Sequence, residues 1–196
     1  MALNIEDVRT AGLLGLIGVI LVVISIPVVV SPRTWAAPGL IGLAIILIAL
    51  GKLSRAFNNP GIYRKALYGV LTNIVGGTAI VFIITLAGFK RTTCITNSPI
   101  QPQLCYIGPP TPVLAITLVT ALWVVFYAVV LITYWFLREA YTGLANASGI
   151  GDFNEAAKWY WYGALTFILL VGALLIFVGH VYAASGYYKL RRYARK

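Results

Sequence analysis

Acidic side chains are scarce in this sequence: five Asp and Glu stand against fifteen Lys and Arg. Histidine and methionine occur once each and cysteine twice. These shortages remove most site chemistry. There is no Ser-His-Asp set, no pair of carboxylates for acid–base work and no Gly-rich phosphate loop. No His or Cys spacing suits a metal, and a bis-histidine haem is impossible within one chain. The sequence therefore reads as non-catalytic, with no cofactor expected.

Hydrophobic residues, by contrast, make up 60% of the 196 positions and charged ones only 10%. The mean hydropathy of +0.90 belongs to no soluble domain of this length. A bilayer core about 30 Å thick needs about 20 apolar residues per helix. Five stretches meet or approach that requirement: 11–30, 38–57, 66–89, 113–136 and 162–185. The predicted fold is all-α, a polytopic membrane bundle of about five spans, with an N-terminal span followed by two helical hairpins. The apolar run after Arg9 is too long for a cleavable signal and lacks a convincing cleavage site, so it reads as a retained helix. The net charge of +10 lies between spans and in the tail. It suits the anionic headgroups of membrane lipids and not nucleic acid, for which there is no soluble platform.

Gly12, Gly15 and Gly18 recur every three residues and spread over a broad face. Asn58-Asn-Pro-Gly61 marks a turn between the second and third spans. The connection 90–112 holds five prolines, which disfavour helix, and carries Cys94 and Cys105. An external disulfide is the simplest reading of that pair, worth about 3 kcal/mol in the chain-entropy model; free thiols and a metal or redox site are the alternatives. Asp152 and Glu155 suggest a capped helix start. One helix is predicted to run from Phe153 through the interfacial Trp159-Tyr-Trp-Tyr162 to about Tyr188. Trp159 and Trp161 are expected as membrane-surface anchors, together with Lys189, Arg191, Arg192, Arg195 and Lys196 of the basic aromatic tail 186–196.

His180 is the only histidine, and it is expected inside the last span. An intramembrane ionisable group raises a functional hypothesis. The simpler expectation is a neutral histidine hydrogen-bonded to a threonine of a neighbouring helix (Thr78, Thr85, Thr117 or Thr120). Gly172, Gly179, Ala183 and Gly186 form a small-residue face that favours close helix packing, within the chain, against a membrane-protein partner or against a second copy.

Two function classes follow. One is an accessory or scaffolding membrane subunit. The other is a small transporter or channel for a neutral or lipid-like solute, its path lined by Thr72, Asn73, Thr78, Thr85, Thr117, Thr120, Thr133 and His180. Five crossings put the chain ends on opposite faces. Seven basic residues then fall on one side and eight on the other, so charge alone does not orient the chain. Placing the cysteine loop outside puts the N-terminus in the cytoplasm and the C-terminus outside the cell membrane. Asn146-Ala-Ser148, a formal glycosylation acceptor, then lies unused in the cytoplasm.

Phe136-Leu-Arg-Glu-Ala-Tyr141, Leu144-Ala145, Gly149, Phe153, Ala156 and Gly186-Tyr-Tyr resemble the DUF996 family of archaeal and bacterial membrane proteins. Leu50-Gly51, Leu53-Ser54, Ile62 and Ala66-Leu-Tyr-Gly69 are similar to that family as well. The resemblance implies a multi-pass membrane protein and an archaeal origin. It brings no catalytic residues, and the Cys94–Cys105 loop does not match its pattern.

Overall fold

The computed structural model describes residues 5–25, 36–86, 90–94, 103–107, 112–169 and 171–193. Helices dominate: α1 is Ile5–Ser25, α2 Ala36–Ala56, α3 Pro60–Leu86, α4 Pro112–Ser148, α5 Gly151–Leu165 and α6 Val171–Tyr193. Five of the six, all but α5, are long and apolar enough to cross a membrane. The all-α membrane bundle read from hydropathy is thus the fold. One small addition was not expected. Strands β1 (Lys90–Cys94) and β2 (Gln103–Ile107) pair antiparallel, with Thr92 opposite Cys105 and Cys94 opposite Gln103. The two cysteines are therefore diagonal neighbours in the ladder. Their side chains lie outside the described residues, and with them the expected disulfide.

The chain divides into two compact units, Met1–Leu71 with Leu131–Lys196, and Thr72–Val130. In the first, α1 packs along α2 and α6, and α6 packs along α5. Gly18 and Gly42 let α1 and α2 approach: a Cβ on either would stand 2.8 Å from the other's carbonyl oxygen. Gly12 lies against the backbone of Tyr187 and Arg191, and Gly15 against the Tyr187 ring. The first turns of α1 thus sit beside the last turns of α6. Asp7 reaches Lys52 at 3.8 Å, so the end of α2 lies there too. Lys65 binds Glu139 at 2.8 Å, joining the start of α3 to α4. In the second unit, Gly76 accommodates Val129 across α3 and α4. The outer faces there are apolar, with Val75, Val81, Val113 and Val124 exposed.

The last helix differs from the sequence reading. In place of one rod from Phe153 to Tyr188 with a span at 162–185, α5 ends at Leu165, a 3-10 turn follows at Phe167–Leu169, and α6 runs back along α5. The long apolar segment is 171–192. Three backbone N–H groups explain the stop. Thr166 N–H donates to the Tyr162 carbonyl, and Leu169 and Gly172 N–H both donate to the Thr166 carbonyl. Gly163 and Gly172 then bring the two backbones together: a Cβ on Gly163 would lie 2.9 Å from the Gly172 oxygen. The residues of the break are not themselves buried, and Ile168 and Leu169 stand exposed.

Candidate functional site

Chemistry-bearing groups gather where α5 is clasped between α4 and α6. Gly149, at φ +72, turns the chain after α4, a conformation that favours glycine. Ser148 Oγ accepts from Ile150 N–H at 3.3 Å and donates to the Leu144 carbonyl. The extended Ile150 precedes α5 without a side-chain cap. Asp152 is thus not the N-cap its sequence position suggests. It sits in the first turn, and its carboxylate crosses to α6, where it accepts from Ser185 Oγ at 2.6 Å and Lys189 Nζ at 2.7 Å. Burial alone would raise this carboxyl. The bonds from Lys189 and Ser185, with the Lys189 charge, bring it below the ordinary carboxylate value. Glu155 pairs with Lys158 at 2.7 Å instead of closing a capping box.

Inside this tie lies an aromatic cluster. Tyr141 of α4, Phe153 and Tyr160 of α5 and Tyr187 of α6 are all buried. Phe153 meets Tyr187 edge-on at 5.2 Å, and Tyr141 lies 5.5 Å from Tyr160. The Tyr141 and Tyr187 hydroxyls are 3.4 Å apart, and the Tyr141 hydroxyl also bonds Tyr160. Each well-placed ring pair adds about 0.5–1.5 kcal/mol beyond its buried area.

His180 closes the cluster on its deeper side. Its ring stands edge-on to Tyr160 at 5.0 Å, and Nδ1 lies 2.8 Å from the Ile176 carbonyl, one turn back on its own helix. The expected bond to a neighbouring threonine is replaced by this local one. Thr78 and Thr117 likewise donate to their own helices, at Ile74 and Val113. Thr120 is exposed, and the Thr85 side chain lies outside the described residues. Thr133 is buried, and its Oγ1 is the buried side-chain oxygen without a hydrogen-bond partner among the described residues.

The glycine face turns inward. Gly179 receives the Tyr160 ring, Gly186 receives Phe153, Gly172 meets Gly163, and Ala183 is fully buried. Trp161 packs edge-on against Trp135 at 5.2 Å, and the Arg138 guanidinium lies over both rings, 5.9 Å from Trp135 and 5.5 Å from Trp161. Trp159 is partly buried. Of the predicted anchors, Lys189 is engaged by Asp152, Arg191 is partly buried and Arg192 lies over the Tyr188 ring at 5.9 Å. Arg195 and Lys196 fall outside the described residues. Sequence reasoning missed the tyrosine cluster and the Arg138 sandwich. Tyr141 did stand in the Phe136–Tyr141 motif, but three tyrosines drawn from three helices leave no periodic signal.

Four of the five acidic residues are spent on ion pairs, Asp7, Glu139, Asp152 and Glu155. Among the described residues no three His, Cys, Asp or Glu side chains gather as metal ligands would. The arrangement is built to hold helices together.

A family model described as a protein of unknown function (DUF996) matches residues 38–181. The uncharacterized protein MJ1644 of Methanocaldococcus jannaschii is 24% identical over 187 residues, covering 94% of this chain and 93% of that protein. No solved structure matches the chain.

Proposed function

We propose that this chain, which belongs to the DUF996 family, is a non-catalytic membrane subunit that packs against helices of other membrane proteins or of a second copy, in an accessory or scaffolding role. Asn73 is the observation that carries this reading. It lies at the midpoint of α3, and its side chain is exposed on a helix face with Ile74, Gly77 and Val81 also exposed. An amide turned toward hydrocarbon is costly. Across a helix–helix contact it becomes a source of association, and small neighbours such as Gly77 permit the close approach. The transporter reading draws less support, because Asn73, Thr78, Thr117 and Thr120 are all exposed.

The test is gentle extraction from native membranes followed by native gel electrophoresis. The chain should migrate in an assembly, and Asn73→Leu should release a smaller species. A monodisperse monomer, unchanged by Asn73→Leu, would overturn the proposal.

The doubling back of α5 and α6 supports a revised membrane topology. At about 1.5 Å per residue, the 15 residues of α5 reach about 22 Å, short of a 30 Å crossing. α5 therefore enters the bilayer and α6 returns to the face it left. Arg9, Lys52, Arg55, Arg64, Lys65, Arg138, Lys158, Lys189, Arg191 and Arg192 then share one face. Lys90 and Arg91 take the other. Ten of the twelve basic residues in the described segments on one side is the asymmetry expected of a cytoplasmic face. On this topology both ends lie in the cytoplasm, whereas five full crossings would put the C-terminus outside the cell.

A further inference from the structure

A groove of about 540 Å³ opens along α2, walled by Tyr63 from the first turn of α3. Its two ends differ in chemistry. Ala44, Leu47 and Ile48 form an apolar floor on one face of α2, while Lys52 and Arg55 stand at the other end, in the last turns of the helix. Gly51 makes the wall possible: a Cβ there would already lie 3.3 Å from the Tyr63 ring. Ile48 is 56% exposed at the floor. The Lys52 ammonium holds Asp7 only loosely, at 3.8 Å with both side chains partly exposed. Arg55 is exposed and has no ion pair among the described residues. The cationic mouth lies at the end of the unit where α1 begins, and the floor runs from it toward the apolar middle of α2.

We infer that this groove is a binding site for an anionic phospholipid, whose phosphate meets Lys52 and Arg55 while one of its chains lies on Ala44, Leu47 and Ile48. Charge complementarity selects the head, and the apolar floor selects a molecule with a tail. The volume lies within the usual range for a small-molecule site, about 300–1,000 Å³. Basic residues at the end of α2 also complement its helix dipole. That role requires neither an open apolar groove below them nor a tyrosine wall. The site is independent of the Asn73 face and of which membrane side is cytoplasmic.

Thermal stability of the purified full chain in mild detergent tests the proposal, titrated separately with phosphatidylglycerol, phosphatidylcholine and glycerol phosphate. Phosphatidylglycerol should stabilise at lower concentration than phosphatidylcholine, and glycerol phosphate, which lacks chains, should not stabilise. Lys52→Gln with Arg55→Gln should weaken the phosphatidylglycerol effect about fivefold per cation removed. Ala44→Trp, which blocks the floor without changing charge, should weaken it as well. Lys158→Gln, a loss of charge elsewhere, should leave it intact. Equal response to both phospholipids, an effect of glycerol phosphate alone, an unaffected Ala44→Trp variant, or weakening by Lys158→Gln would each overturn the proposal.

Discussion

At the scale of the residue, the core is decided by what is missing from side chains as much as by what is present. A methyl group on Gly163 would lie 2.6 Å from Ile176 Cγ1 and 2.8 Å from its backbone nitrogen. Gly163→Ala should therefore cost about 1–3 kcal/mol, read as a lower thermal midpoint in detergent. Gly151 meets nothing within 4 Å. Gly151→Ala should leave that midpoint unchanged or raise it by the equivalent of about 0.4–1 kcal/mol. Thr133 tests polar satisfaction. Its buried hydroxyl has no partner among the described residues, so Thr133→Val, which keeps the shape, should be neutral or stabilising; a large loss of stability would mean that the hydroxyl has a partner after all. Small residues at close contacts are legible in sequence as a seven-residue spacing of Gly172, Gly179 and Gly186. The partner that fills each gap is not, because Tyr160 and Phe153 come from a helix whose direction the spacing does not specify.

At the scale of the element, the informative case is the α5–α6 hairpin. Apolar periodicity runs unbroken from Tyr162 past Ala184, and the turn Thr166-Phe-Ile-Leu-Leu-Val171 contains neither Gly nor Pro. Nothing in residue chemistry announces the stop. It exists because the Thr166 carbonyl gathers two turn-closing bonds and Gly163 and Gly172 let the backbones meet. Turns carrying their own signals were readable: Asn58-Asn-Pro-Gly61 does interrupt the helices, with Asn58 at φ +49, and Gly149 does end α4. The five long apolar helices were readable too, since length and hydropathy alone define them. The hairpin makes a pH prediction. The Asp152 carboxyl is lowered in the folded protein from its ordinary 3.8. Its contribution is therefore fully present above that pH and lost as pH falls through the lower folded value. The thermal midpoint should drop on acidification below 3.8, and Asp152→Asn should start lower at neutral pH and lose this component of the acid sensitivity. Lys189 is well exposed, so screening keeps the effect modest.

At the scale of the whole molecule, the first unit joins its helices at one charged end. Ion pairs tie α1 to α2, α3 to α4 and α5 to α6 there, and rings from α4, α5 and α6 interlock just inside. Such a clasp leaves apolar side chains such as Leu40, Ile41, Leu174 and Val181 exposed. The proposed topology, in which α5 and α6 fold back, puts both ends of the bundle on the cytoplasmic face. Small epitope tags fused ahead of α1 and after α6, probed by protease protection in right-side-out and inverted membrane vesicles, test it most directly. Both tags should be cleaved in inverted vesicles and protected in right-side-out ones. Cleavage of one tag in each vesicle type would place the ends on opposite faces and contradict the account.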